Sequence, residues 1–155
     1  MNHWLLKSEP SVFGIEDLAR APGQRTHWDG VRNYQARNWL RDAMKRGDRA
    51  FFYHSNAPKT GIAGVVEVVR EGYPDPSAFD PADPHHDPKS KPESPTWYCV
   101  DVRLVERFPA VIPLAALKAN PALAGLALVR PGNRLSVMPV TPAEWQAVLA
   151  MRPNA

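Results

Sequence analysis

The sequence predicts an α+β fold: about five strands curled into a small, partly open barrel or strongly bent sheet, flanked by short helices. Three observations predict it. Stretches rich in β-branched and aromatic residues recur at 3–9, 49–55, 61–71, 96–108 and 134–140. They are too few for a sandwich, and they do not alternate regularly with helical patterns. The helical patterns between them are short.

The first strand is "HWLLKSE", running into a loop. A short helix follows from Gly14 to Arg20, with Gly14 as N-cap and Asp17 in its first turn. The next helix carries one apolar stripe, because Ala36, Trp39, Leu40, Ala43 and Met44 fall at i, i+3, i+4, i+7 and i+8. Asn33 is its expected N-cap and Gly47 its expected C′ residue. Arg37, Arg41 and Lys45 share another face of it. "RAFFYHS" and "GIAGVVEVVRE" are strands joined by the loop "NAPKT". Residues 72–96 contain seven prolines and are expected to be mainly irregular. After the strand "TWYCVDVRLVERF", residues 113–125 give two helical turns, the second capped by Asn120 with Pro121 at N1. "RLSVMPV" is the last strand, and Thr141, Pro142 and Glu144 open the last helix with a capping box.

The 155 residues fit one domain, expected to span 1–155. The single cysteine, Cys99, excludes an internal disulfide and points to a reducing compartment. The apolar run Trp4-Leu5-Leu6 is too short for a signal peptide, and no stretch approaches the ~20 apolar residues of a membrane span. A soluble, cytoplasmic, monomeric protein without membrane contact is expected. The net charge of +3 is mild but unevenly placed. Residues 20–49 hold eight Lys/Arg against three Asp/Glu, whereas residues 71–96 hold two against six. A basic segment with aromatics fits a nucleic-acid footprint, but charge alone favours a solvated helix face balanced by an acidic loop.

Enzyme signatures are missing. There is no G-x-S-x-G, no P-loop and no dinucleotide fingerprint. His54 and Ser55 are strand neighbours and point to opposite faces. Cys99 lies in an apolar strand. His85-His86-Asp87 has metal-ligand chemistry but no second ligand cluster. No catalytic residue, metal or cofactor is therefore expected.

The aromatic residues say more. Of five tryptophans, Trp39 and Trp145 lie on apolar helical stripes, and Trp4 and Trp97 near strand starts fit either a core or a site. Trp28 follows "GQRTH" and belongs to no stripe, which reads as a loop tryptophan. Tyr34 also lies off its helix's stripe. Beside them stand Arg32, Asn33 and Arg37. A nucleobase stacks on an indole or phenol ring for ~1–3 kcal/mol. An amide reads a base edge, and arginines hold phosphates.

The stretches "WLLKSEP" (4–10), "WDGVRNYQARN" (28–38), "FFYHS" (51–55), "GIAGVVEVV" (61–69), "DPKSKPESPTWYCVDV" (87–102) and "RLSVMPVT" (134–141) resemble the EVE domain, in order and over nearly the whole chain. The resemblance implies a PUA-like bent β-barrel flanked by helices, shared with the YTH readers of methylated RNA. It also implies a non-enzymatic module that binds DNA or RNA through a modified base in an aromatic pocket. Carried over motif by motif, the implied pocket and rim are Lys7, Ser8, Trp28, Arg32, Asn33, Tyr34, Arg37, Tyr53, His54, Ser55, Trp97 and Ser136. The acidic proline-rich loop is expected to border that pocket. Two rival readings use the same residues: a small-molecule or nucleotide sensor, and an enzyme on a modified base with His54 or Lys7 in acid–base work.

Overall fold

The computed structural model describes residues 1–153 as one mixed six-stranded sheet with short helices against both faces. In chain order the elements are β1 (His3–Ser8), α1 (Pro10–Phe13), α2 (Ile15–Arg20), β2 (Arg25–Trp28), α3 (Tyr34–Asn38), β3 (Arg49–His54), β4 (Gly61–Pro74), β5 (Tyr98–Pro113), α4 (Leu114–Ala119), β6 (Val137–Val140) and α5 (Pro142–Leu149). The strand order is β2-β5-β4-β3-β1-β6. β1 and β3 run parallel, and the other neighbours are antiparallel.

The expected barrel is open. β2 and β6 are edges that do not pair with each other among the described residues. Curvature comes from β4 and β5, whose register shifts at four places, with a fifth shift between β3 and β4. Each bulge adds an unpaired residue that bends and twists its strand. β4 and β5 are also longer than their apolar runs suggested, because their outer ends are partly exposed and carry polar residues.

Strand alternation sorts the apolar residues onto two faces. Trp4, Leu6, Ala50 and Phe52 meet Ile15, Leu18, Ala36, Leu40 and Met44 from the α2 and α3 side. Leu5, Phe51 and Tyr53 meet Leu117, Leu123, Trp145 and Val148 on the other. Trp145 stacks on Phe51 with centroids 3.9 Å apart. Trp4 is core, and its indole N–H donates to the buried Asp48 carboxylate at 3.1 Å.

Several local expectations hold, and some need correction. Asn33 caps α3 by accepting from the Ala36 N–H at 3.0 Å. Asn120 and the Thr141/Glu144 box cap as expected. α3, however, widens into a π-helical turn over Trp39–Ala43, closed by Met44 N–H donating to Trp39 O at 2.8 Å. The helix ends at Met44 in extended conformation, so Gly47 is not its C′ residue. Gly47, at φ 93°, serves the turn into β3 instead. A side chain at Gly72 of β4 would put its Cβ 2.5 Å from the Leu40 carbonyl O, so the glycine lets the π turn lie against the strand. Trp28 ends β2, a strand the sequence did not suggest, rather than lying in a loop. The reason is physical: β2 is an edge strand with one partner, and Trp28 is its only buried residue, so no alternation marks it.

Candidate nucleic-acid interface

A cavity of about 620 Å³ opens at the end of β1. Five segments line it: Lys7–Glu9, Phe13 of α1 with Val12 exposed at the rim, Thr26–Val31, Asp83–His85 of the proline-rich loop, and Ser136 before β6. Local bonds fix these walls. Lys7 N–H donates to Ser136 O at 2.9 Å. Ser8 Oγ donates to Phe13 O at 2.6 Å. Val12 and Phe13 N–H groups both donate to Glu9 O at 2.9 Å.

Trp28 is only 7% exposed and meets Phe52 edge-on, with ring planes at 89°. It is a wall anchored in the core, not a free stacking surface. Gly30 sits at φ 76°, where a side chain is strained, and a Cβ there would lie 2.7 Å from the His85 ring. Glycine therefore lets the imidazole lie against the backbone.

A buried clamp joins this turn to the loop. Asp75 is fully buried and accepts from Gly30 N–H at 2.8 Å, Arg32 Nη1 at 3.0 Å, and Ser77 N–H and Oγ at 2.8 and 2.6 Å. Arg32 also donates to His85 O through Nη2 at 2.6 Å. Burial of Asp75 opposes its charge, but the hydrogen bonds from Ser77, Gly30 and Arg32 outweigh it and hold the carboxyl below the usual range.

Asp29 behaves oppositely. Burial pushes its carboxyl up, His27 counteracts this, and the nearby Asp75 charge adds to the rise. Its ion-pair partner is His27 Nε2, at 3.7 Å. Asp29 thus lines the cavity, with a carboxylate that has spare acceptor capacity. Burial also lowers the Lys7 ammonium value, and Lys7 forms no ion pair among the described residues.

The residues anticipated from sequence fall into three groups. Lys7, Ser8, Trp28 and Ser136 line the cavity. Arg32 stands behind its wall, and Asn33 caps α3. Tyr34, Arg37 and Trp97 form a separate outer stack. There Arg32 lies 5.3 Å above Trp97, Trp97 lies 5.0 Å from Tyr34, and Arg37 lies 5.1 Å over Tyr34. Trp97 donates to Asp87 at 2.7 Å, and Arg37 to Thr96 O at 2.7 Å. Tyr53 faces the other core. His54 accepts from Ile15 N–H at 3.1 Å and lines a second cavity of about 420 Å³ with Glu16 and Arg107. Ser55 N–H donates to Ser8 O.

Sequence reasoning missed Asp29, Gly30, Phe13 and His85 as wall residues, and Val12 at the rim. Asp29-Gly30 was visible as a turn inside "WDGVRNY". Nothing local announces that His85, 55 positions later, rests on Gly30.

The helix cations are mostly engaged. Arg41 forms two bonds to Asp42, at 2.9 and 2.8 Å, and Lys45 lies 3.8 Å from Glu71. Arg41→Ala is therefore expected to leave the log affinity versus log salt slope unchanged for any oligonucleotide bound. Lys7→Ala should lower that slope by ~0.7–0.9, one phosphate contact. The reverse result would move the phosphate track to the α3 face.

The EVE domain pattern matches residues 2–151. Human thymocyte nuclear protein 1 is 47% identical over 166 residues, covering 97% of this chain and 73% of its own length. The solved structure of human THYN1 in complex with 5-methylcytosine-containing DNA has a TM-score of 0.93 at 45% identity, covering 100% of this chain and 99% of that one. A Pseudomonas syringae protein matches with a TM-score of 0.93 at 50% identity, covering 97% of this chain and 99% of that one. The vertebrate relatives are named as nuclear, which overturns the expected cytoplasmic location. The error has a plain cause: one cysteine and no disulfide indicate a reducing compartment, and nucleus and cytoplasm are both reducing. No helix among the described residues is long and apolar enough to cross a membrane.

Proposed function

We propose, for a chain that belongs to the EVE domain family, that it is a non-enzymatic module that binds DNA and holds a modified cytosine in the 620 Å³ cavity. The observation that carries this reading is a cavity roomy enough for an extruded base, with a carboxylate, Asp29, that has spare acceptor capacity, in a fold that a 45% identical relative presents to 5-methylcytosine DNA. Cytosine offers its N4 amino group as donor, and a carboxylate is its natural acceptor. Phe13, Trp28 and the imidazoles of His27 and His85 supply aromatic walls around the base.

A methyl group adds only ~0.8 kcal/mol on burial, a few-fold in affinity. Discrimination therefore also depends on how badly a plain cytosine fills the walls. The base must leave its stack at a cost of a few kcal/mol, so the extrusion step favours single strands. The enzyme reading finds no support in His54, which uses Nε2 on the Ile15 N–H and lines the other cavity.

The test is an anisotropy titration of matched oligonucleotides with cytosine or 5-methylcytosine. The natural protein should prefer the methylated probe. Asp29→Ala should weaken it by roughly tenfold or more, the cost of one unpaired polar group of ~1–3 kcal/mol. Its melting temperature should not fall, since burial already disfavours the Asp29 charge. Unchanged affinity in a folded D29A protein would remove the base from this cavity.

A further inference from the structure

Val12 is 75% exposed, and it stands on the lip of the cavity. Scattered exposed apolar side chains need no explanation. This one is held out rigidly. Pro10 occupies the first position of α1, Glu9 O takes the N–H groups of Val12 and Phe13, and Ser8 Oγ grips Phe13 O. Phe13 packs against the core below, so α1 is pinned on one side and presents Val12 on the other.

The cavity lip has a mixed character that suits bases rather than phosphates. Glu9 and Asp83 line the same cavity as Val12, two carboxylates against the single ammonium of Lys7. They repel a sugar–phosphate backbone and leave the apolar side chain to meet something uncharged. When a base is drawn out of a duplex it leaves a gap flanked by two apolar ring faces. Apolar side chains insert between base steps of duplex DNA in other proteins.

We propose that Val12 enters the stack of duplex DNA and fills the space vacated by the base held in the cavity. This inference rests on the base-cavity reading above. Val12 then offsets part of the extrusion cost, which only a duplex carries. It makes the protein a reader of paired as well as unpaired methylated DNA, and it contributes nothing to the base contacts themselves.

The experiment compares a duplex with one central 5-methylcytosine and the same strand alone, titrated against the natural protein, Val12→Ser and Val12→Leu. Val12→Ser should weaken duplex binding by roughly tenfold, the value of one buried valine, and single-strand binding by less than about twofold. Val12→Leu should bind the duplex like the natural protein. Melting temperatures should match, because the side chain is exposed. Equal weakening on both probes would make Val12 a contact for the captured base and overturn the wedge. No change on either probe would overturn it as well. Failure of the base-cavity reading itself looks different: the natural protein would not distinguish methylated from plain DNA in either form.

Discussion

Trp28→Ala should lower the free energy of unfolding by about 3–5 kcal/mol in a urea titration, the usual loss for truncating a large core aromatic. Trp28 packs edge-to-face on Phe52 and belongs to the cluster with Leu6, Val31 and Val100. Phe52, Leu6 and Val100 are sheet residues that cannot collapse into the vacated space, which keeps the cavity term large. Trp28→Phe should cost clearly less, since an aromatic edge remains against Phe52. The consequence for function is practical. Loss of binding in the alanine variant reports the fold as much as the pocket, so the base contact is better tested at Asp29. An unchanged unfolding midpoint in Trp28→Ala would mean that the indole is not a core residue.

Asp75→Ala should cost about 3 kcal/mol or more, because it leaves Arg32 without its carboxylate and the Gly30 N–H without an acceptor. Arg32 keeps its bonds to Ser77 Oγ and His85 O, which limits the loss. The clamp also carries a pH signature. The folded Asp75 value is depressed, so its stabilisation is fully present above the ordinary carboxylate pKa of ~3.9 and is lost as pH falls through the lower folded value. In acid titrations followed by tryptophan fluorescence, the natural protein should lose this component and the variant should lack it. Parallel acid profiles for the two proteins would show that the clamp is not a source of stability. Because the clamp positions Gly30 and His85, the variant should also lose oligonucleotide affinity, even under conditions where it remains folded.

Much of the fold was legible for local reasons. β1 and β3 announce themselves because both of their faces are buried, giving the continuous runs "WLL" and "AFFY". The caps at Asn33, Asn120 and Thr141 are visible because a capping residue acts on a backbone N–H two or three positions away. The edge strand β2 was not legible, since one partner and one buried residue leave no period to detect. The sequence suggested a partly open barrel or bent sheet, but not which strands form its edges, because that depends on whether β2 and β6 meet, and no local pattern states it.

The segment from Trp28 to Arg37 shows where the two kinds of information divide. By itself the sequence determined that an unusual cluster of aromatic, amide and arginine side chains stands at a helix entrance, and that Asn33 caps the helix. Only the tertiary structure decided how each member is used. Trp28 went to the core and Arg32 to Asp75, while Tyr34 stacked outward at 62% exposure on Trp97. The cavity wall beside Trp28 passed to Asp29 and Gly30, completed by His85. The physical reason is range. A residue's spacing records the face its own element buries, but an arginine's carboxylate or a glycine's covering ring arrives from tens of residues away, and nothing in the local pattern names it.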